Sequence, residues 1–128
     1  MKFVNLTPHE ISVQPAEKFG VIRIKPSGAV CRVVMIEEDV DLLSYGKVHF
    51  RVQMQRPSSI EGIPLEDRNA GLMYIVSQMC LPFLAHRHDV VAPNTNGSAV
   101  VRNENGSIRY VKAFIRPMVE IGDANDTR

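Results

Sequence analysis

The alternation of apolar and polar residues in the segment from Lys47 to Arg56, broken only at Arg56 itself, constrains the fold more than any other feature of this sequence. A period of two indicates a β-strand whose successive side chains point to opposite faces. One of these faces carries only apolar side chains: Val48, Phe50, Val52 and Met54. The pattern therefore predicts a strand with one face in the core and the other against water or a partner.

The rest of the chain also predicts strands, because short apolar runs are separated by Pro, Gly and Asn, as in an antiparallel sheet. Residues 29–36 are mostly apolar apart from Arg32, and they predict a central strand. Four carboxylates within residues 37–41 predict a solvated loop after that strand. Residues 57–71 predict a long irregular connection, which is typical of a lid or a subunit contact.

One principal helix is expected after a short buried strand at residues 74–76. Ser77 can cap this helix through its hydroxyl group, and residues 78–87 are the helical candidate. Pro82 lacks the backbone donor that a helix needs, so we predict a kink or a late start. Residues 89–92 are apolar again, and this order of strand, helix and strand fits a crossover between parallel neighbours.

The C-terminal segment predicts a β-hairpin, since the candidate strands 98–102 and 107–116 flank Asn105-Gly106, a dipeptide typical of hairpin turns. The hairpin is basic, because it carries four cations and one acid, Glu104. The cations are Arg102, Arg109, Lys112 and Arg116. The sequence therefore places a local positive charge at this end of the chain.

The second strand of this hairpin alternates aromatic rings with cations. A period of two places four of its side chains on one face: Tyr110, Lys112, Phe114 and Arg116. Such a face suits a nucleotide, because rings stack on a base while cations hold phosphate. The commoner alternative is a solvated face with the rings in the core and the cations at a sheet edge.

Together these elements predict an α+β fold, with a mainly antiparallel β-sheet, one principal helix and a C-terminal β-hairpin. Residues 1–121 are expected to form a single β-rich ligand-binding domain. The polar residues 122–128 are expected to form a flexible tail.

Composition excludes several classes of protein. Fifteen basic and 14 acidic residues give a net charge of +1, so no overall field attracts DNA or RNA polymers. Cys31 and Cys80 are too few for a disulfide scaffold and are expected as buried thiols in a reducing compartment. The N-terminus lacks a signal-peptide core, and no run of 18 apolar residues exists. We expect a cytoplasmic protein with no membrane partner.

Familiar catalytic signatures are absent from the sequence, including the P-loop, the dinucleotide-binding glycine motif, HExxH and GxSxG. No nucleophile can be paired with a base by spacing. His86, His88 and Asp89 have the chemistry of metal ligands, but a C-terminal helix cap is their commoner role. We therefore expect a protein that is not an enzyme and that holds no cofactor or metal.

Two further places hold candidate ligand-binding residues. Asn94 and Thr95 follow the second of the predicted parallel strands, where crossovers place ligand sites, although an Asx turn is an equally good interpretation. Arg32, within an apolar run, is expected either to pair with a core carboxylate or to face a polar cavity. Thr7 and His9 either present donors at a strand end or cap a turn, and the sequence leaves both open.

Five short motifs, in this order, resemble those of a family of small phage and prophage proteins. The motifs are VNLTPHEI from Val4, PSG from Pro26 followed by CR, YIVS from Tyr74, VVAPNT from Val90, and FIR from Phe114. They span most of the chain. The resemblance is to the family that contains the phage anti-Thoeris sponge proteins, which sequester cyclic ADP-ribose signals.

The resemblance implies a β-rich homo-oligomer, from a dimer up to a hexamer, that binds a glyco-cyclic ADP-ribose isomer without cleaving it. Sequestration of that immune signal would block a bacterial anti-phage defence, and some members also bind cyclic oligonucleotides at a separate site. The chain departs from the family pattern at Pro82, Asn94 and Lys112. The ligand positions implied by the resemblance or by the basic hairpin are Arg32, Phe83, His86, Asn94, Thr95, Arg109, Lys112 and Arg116.

Two other classes of function stay open on the sequence. One is an enzyme acting on nucleotides or sugars, with His9 or His86 as the acid or base. The other is a phage structural module or a module that binds a host protein. The expected partner in the sponge interpretation is a small anionic nucleotide-type ligand.

Overall fold

The computed structural model describes residues 1–17 and 20–117. The strands are Lys2–Asn5 (β1), Ile11–Val13 (β2), Ile22–Ile24 (β3), Arg32–Tyr45 (β4), Val48–Glu61 (β5), Leu72–Ile75 (β6), Val90–Pro93 (β7), Val100–Arg102 (β8), Ile108–Val111 (β9) and Phe114–Ile115 (β10). Two 3₁₀ helices span Gln78–Leu84 and Gly97–Ala99. The predicted α+β class is confirmed, with strands dominating and Gln78–Leu84 as the principal helix.

The strands form two four-stranded sheets and one two-stranded ribbon. The first sheet has the order β1-β6-β7-β10, in which β1, β6 and β7 run parallel and β10 is antiparallel to β7. The second sheet has the order β3-β2-β9-β8 and is antiparallel except between β2 and β9. The ribbon consists of β4 and β5. The predicted crossover between parallel neighbours is confirmed by the pairing of β6 with β7.

The first sheet is the centre of the core, because both of its faces are covered. Val76 and Val90 are fully buried on one side, in a cluster with Cys80 of the principal helix. Ile75 is fully buried in a second cluster that packs against Ile11 of β2. Burial on both faces explains why β6 and β7 are continuous apolar runs rather than alternating ones.

Pro82 determines the form of the principal helix. A regular α-helix would need a backbone donor at Pro82, and the segment instead adopts the tighter 3₁₀ form over Gln78–Leu84. The predicted late start is wrong, since the helix begins at Gln78. The predicted hydroxyl cap is also wrong: the Ser77 Oγ atom lies 3.6 Å from Cys80 Sγ, and the Ser77 carbonyl accepts the Cys80 N–H.

The strand predicted at residues 29–36 is confirmed from Arg32 onward, but it is not central, because it belongs to the ribbon, and the loop predicted at residues 37–41 is wrong. Residues 32–45 form one strand, so the acidic run is neither a loop nor the end of a central strand. Its acids are accommodated by partners across the ribbon; Glu37, for example, accepts a hydrogen bond from Gln55 at 3.0 Å. Arg32 is exposed at the start of β4 and therefore needs no buried partner.

The alternating segment 47–56 is confirmed as strand, but the predicted core face is not. Within β5 only Val52 and Ile60 are even partly buried. Residues 57–61 continue β5, so the irregular connection is shorter than predicted and runs from Gly62 to Gly71.

The C-terminal hairpin is confirmed, with β8 and β9 joined by a turn in which Gly106 has a φ of 89°. The second strand ends at Val111, earlier than predicted. Lys112 N then donates to the Ala99 carbonyl, Asn94 N donates to the Ala113 carbonyl, and the chain passes into the first sheet as β10. The predicted single face of rings and cations is therefore wrong, because Tyr110 and Phe114 lie in different sheets, and Lys112 and Arg116 lie outside the strands.

The predicted tail, residues 122–128, lies outside the described residues. Within residues 1–17 and 20–117, no helix is long and apolar enough to cross a membrane.

Candidate functional site

A cleft opens where the three parallel strands of the first sheet end. The carboxyl ends of β1, β6 and β7 lie along one edge of the sheet, and Thr7, Ser77 and Thr95 follow these strands. All three residues line the cleft. Ligands commonly bind at the carboxyl edge of parallel strands, because polar chain ends converge there above an apolar sheet.

The second sheet forms the opposite wall. The starts of β2 and β9 run side by side and contribute Ile11, Ser12, Ile108 and Arg109 to the lining. The cavity has a volume of about 720 Å³, which is within the range of small-molecule and cofactor sites. The other lining residues are His9, Glu10, Gln78, Met79, Pro93, Ser107 and Val111.

The loop between β1 and β2 joins the two walls, and Asn5 fixes its shape. Asn5 is 1% exposed, and its Nδ2 atom donates to the carbonyls of His9 at 2.8 Å and Ile24 at 3.0 Å. Its Oδ1 atom accepts from Thr7 N at 2.9 Å and from Thr7 Oγ1 at 2.7 Å. Both ends of the amide are therefore satisfied. Thr7 lines the cleft, and its N–H and hydroxyl groups also donate to Asn5 within the turn. These two hydrogen bonds agree with the interpretation of this segment as a capped turn.

Gln78 connects the principal helix to the end of β7. Its Nε2 atom donates to the Pro93 carbonyl at 2.9 Å and lies 3.2 Å from Thr95 Oγ1. These bonds fix the Gln78 side chain, which gives the cleft an oriented amide at the edge of the first sheet.

The chemistry of the lining is mixed. Hydroxyl groups come from Thr7, Ser12, Ser77, Thr95 and Ser107, and they surround apolar side chains of both walls. Arg109 is the cation among the described lining residues, and Glu10 is the acid. The Arg109 guanidinium carbon lies 5.9 Å from the centre of the Tyr110 ring, which supports the cation at the mouth. The cleft therefore offers one strong anion contact and many neutral hydrogen-bonding groups.

The structure brings two of the eight predicted ligand residues, Thr95 and Arg109, into this cleft. Asn94 does not line it; its Oδ1 atom accepts the Asn96 N–H at 3.0 Å, which is the Asx-turn alternative. Lys112 lines a separate cavity of about 270 Å³ with Phe3 and Phe114.

The remaining four predicted ligand residues are dispersed. Arg32 is at the base of the ribbon, and Arg116 is exposed just after β10. Phe83 is 37% exposed on the principal helix, and His86 follows that helix in a left-handed conformation with a φ of 71°. None of these four side chains lines the cleft.

The sequence reasoning missed Ser77 and Gln78 as site residues. Asn94 and Thr95 were selected because polar residues that follow a parallel strand often contact a ligand. The same reasoning applies to the polar residues that follow β6, which ends at Ile75. It would have identified Gln78 without further information.

The segment 86–89 performs a structural role. Arg87 forms two hydrogen bonds with the buried Asp89 carboxylate, at 2.9 and 2.8 Å, and its Nη1 atom donates to the Pro64 carbonyl. The hydrogen bond with Asp89 raises the pKa of Arg87 above its ordinary value. This ion pair ties the connection between β5 and β6 to the core. Across residues 1–17 and 20–117, no group of three His, Cys, Asp or Glu side chains is placed to hold a metal ion.

The two cysteines are buried thiols. Burial raises the pKa of Cys31 from 9.0 to about 12, and the neighbouring Cys80 thiol contributes to the shift. Cys31 is therefore a neutral thiol at physiological pH and a poor nucleophile.

Comparisons of the chain with protein-family models, curated proteins and solved structures found no match.

Proposed function

We propose that this protein binds a small nucleotide-type ligand in the cleft between its two sheets and sequesters it without chemical change. The observation that carries the proposal is the cleft itself, a cavity of about 720 Å³ at the carboxyl ends of three parallel strands. Its size suits a mononucleotide or a compact cyclic dinucleotide, and its mixed lining suits a base, a sugar and a phosphate together.

Each part of such a ligand has a matching group in the cleft. Apolar side chains, including Ile11 and Ile108, offer a surface to a base. Gln78 and Thr95 offer neighbouring amide and hydroxyl groups to a sugar. Arg109 offers a forked cation to a phosphate or pyrophosphate.

The resemblance to the anti-Thoeris sponge proteins narrows the ligand to a glyco-cyclic ADP-ribose signal, and it gives the biological role as inhibition of anti-phage defence. A sponge needs affinity near nanomolar, which corresponds to about 12 kcal/mol. A small anionic ligand reaches that value only when it is largely enclosed. The two sheets enclose a ligand from two sides, and the cleft stays partly open to solvent.

An enzyme that acts on nucleotides or sugars is the second candidate, because His9 and Glu10 both line the cleft. An imidazole and a carboxylate are suitable acid and base groups for glycosidic or phosphoester chemistry. Ser44 and His49, which form a hydroxyl–imidazole hydrogen bond of 2.9 Å, lie on the exposed ribbon and not in the cleft.

The deciding experiment incubates the protein with a cyclic ADP-ribose ligand, removes unbound ligand, releases the remainder by heat and measures its mass. Recovery of intact ligand supports sequestration. Recovery of a product of altered mass supports the enzyme. Absence of retained ligand contradicts sequestration, and absence of any product of altered mass in the unbound fraction as well contradicts the enzyme.

A pair of variants assigns the binding to the cleft. Arg109→Ala is expected to weaken binding by about 10- to 150-fold, which is the loss of one charge-assisted contact of about 1.5 to 3 kcal/mol. Arg116→Ala is the matched control, because Arg116 is also an exposed arginine but does not line the cleft. Equal losses in both variants would contradict the assignment.

A further inference from the structure

The β4–β5 ribbon extends from the domain as a separate pair of strands. Each strand has 14 residues, and neither pairs with a third strand among the described residues. Fourteen residues of strand measure roughly 45 Å. Val33 and Ile60 pack the base of the ribbon against the core. An isolated two-stranded ribbon is marginally stable in water, so its distal part needs another surface.

One face of the ribbon is mostly polar, with Leu42, which lies opposite Arg51, as an exposed apolar member. Cross-strand hydrogen bonds of 2.9 to 3.0 Å join polar groups along this polar face, and such groups can remain in water at no cost. The pairs are Ser44 with His49, Asp39 with Gln53, and Glu37 with Gln55.

The opposite face is apolar and exposed. The register places Leu43 opposite Phe50 and Tyr45 opposite Val48 near the tip, and Met54 continues the row along β5. The exposed fractions are 60% for Leu43, 83% for Tyr45, 53% for Val48, 54% for Phe50 and 57% for Met54. We name these five side chains the apolar face. A chain folded alone would leave them all in water.

The row on β5 is apolar from Val48 to Met54, whereas the β4 half of the face becomes charged beyond Leu43. Asp41 lies opposite Val52 and Glu38 lies opposite Met54. Arg56 bonds Glu38 at 3.0 Å toward the base, and the Asp41 carboxylate accepts the N–H of Leu42 at 2.7 Å. An apolar centre with charged groups at its margin is the usual anatomy of a protein interface.

The size of the apolar face fits a second copy of the same chain. Five large side chains that are more than half exposed form an apolar patch on the order of 500 Å². Two such patches in contact would bury about 1,000 Å², which reaches the lower bound for a specific interface. A two-fold axis brings identical patches together, and an apolar patch is complementary to itself.

We propose that the protein forms a two-fold dimer in which the apolar faces of two ribbons pack on each other. The face was predicted from its alternation to be a core face, and in the dimer it becomes one. This proposal does not depend on the ligand in the cleft.

The test compares the mass of the full chain in solution with that of two lysine variants, by sedimentation velocity at micromolar concentration. The wild type is expected at twice 14.3 kDa. Phe50→Lys places a charge in the apolar face and is expected to weaken the dimer by at least about tenfold. Gln53→Lys is the matched control: it places the same charge on the polar face beside Asp39, and it should leave the dimer intact.

A cross-linking measurement covers the case in which Phe50→Lys fails to fold. Val52 lies between Phe50 and Met54 in the row on β5, so a two-fold axis near the middle of that row brings its two copies close together. Val52→Cys is expected to cross-link with a short bis-maleimide, and Gln53→Cys is not. Three results would each overturn the proposal. They are a monomeric wild type, a folded Phe50→Lys variant that is still a dimer, and equal cross-linking of the two cysteine variants. A wild-type monomer would also leave the face to a different protein partner.

Discussion

Replacement of Asn5 by alanine tests how the cleft is held open to a ligand. The Asn5 side chain makes all of its hydrogen bonds to the loop between β1 and β2 or to β3, with Thr7, His9 and Ile24 as partners. Asn5→Ala removes these bonds and leaves the buried Thr7 N–H without that acceptor. We expect the folded state to lose stability and the cleft wall to lose its fixed position.

The magnitude follows from the number and burial of these bonds. Four neutral hydrogen bonds at about 1 kcal/mol each give a loss of about 4 kcal/mol, and any buried partner left unsatisfied adds to it. That is a large part of the roughly 5 to 15 kcal/mol that stabilises a typical domain. Asn103→Ala is the control, because Asn103 is exposed and its side chain donates one hydrogen bond, to Ser107 Oγ. This substitution should lower the free energy of unfolding by less than about 1 kcal/mol.

Urea unfolding followed by circular dichroism measures both variants. The expected result is a large fall in the midpoint for Asn5→Ala at an unchanged slope, with the Asn103→Ala curve close to wild type. If Asn5→Ala lowers the free energy of unfolding by less than about 1 kcal/mol, the Asn5 amide does not organise the loop between β1 and β2.

Two further predictions concern stability. Because burial, with a contribution from Cys80, raises the pKa of Cys31 from 9.0 to about 12, the folded thiol stays neutral while the unfolded thiol ionises. The stabilisation that the neutral Cys31 thiol gives the folded state is therefore fully present below pH 9. It is lost as the pH rises from 9 to 12, by up to about 1.4 kcal/mol per pH unit. The free energy of unfolding of Cys31→Ala, measured in urea, should therefore fall less steeply than that of the wild type over this range. Gly62→Ala should destabilise the fold by at least about 2 kcal/mol, because Gly62 has a φ of 83° and an added Cβ would lie 2.0 Å from the Val30 carbonyl oxygen. Gly106→Ala is the control, since Gly106 also has a positive φ but an added Cβ would lie in open space, and its effect should be smaller. Equal destabilisation by the two substitutions would contradict the steric explanation.

The sequence identified local structure well where one short motif decides it. The Asn105-Gly106 pair correctly predicted the hairpin of β8 and β9. The two apolar runs on either side of residues 77–88 correctly predicted the parallel neighbours β6 and β7. The alternation in residues 47–56 gave a strand, but alternation reports only that a strand has two unlike faces. It carries no information on what covers the apolar face, and so it did not separate a core strand from a projecting ribbon.

The candidate site was only partly predictable for a related reason. Thr95 was found from its place after a parallel strand, and Arg109 from the charge of the hairpin. Lys112 and Arg116 were placed on one face with Tyr110 and Phe114, on the assumption of one continuous strand. The change of sheet after Val111 separates them, and it depends on tertiary hydrogen bonds that no local pattern encodes.

Binding of a nucleotide-type ligand in the cleft can be observed residue by residue, by titrating the isotope-labelled protein with a cyclic ADP-ribose ligand and recording amide NMR spectra. We expect saturable shifts concentrated at Thr7, Gln78, Thr95 and Arg109, which lie on both walls of the cleft. Shifts confined to the surroundings of Lys112, or no shifts at millimolar ligand, would contradict it.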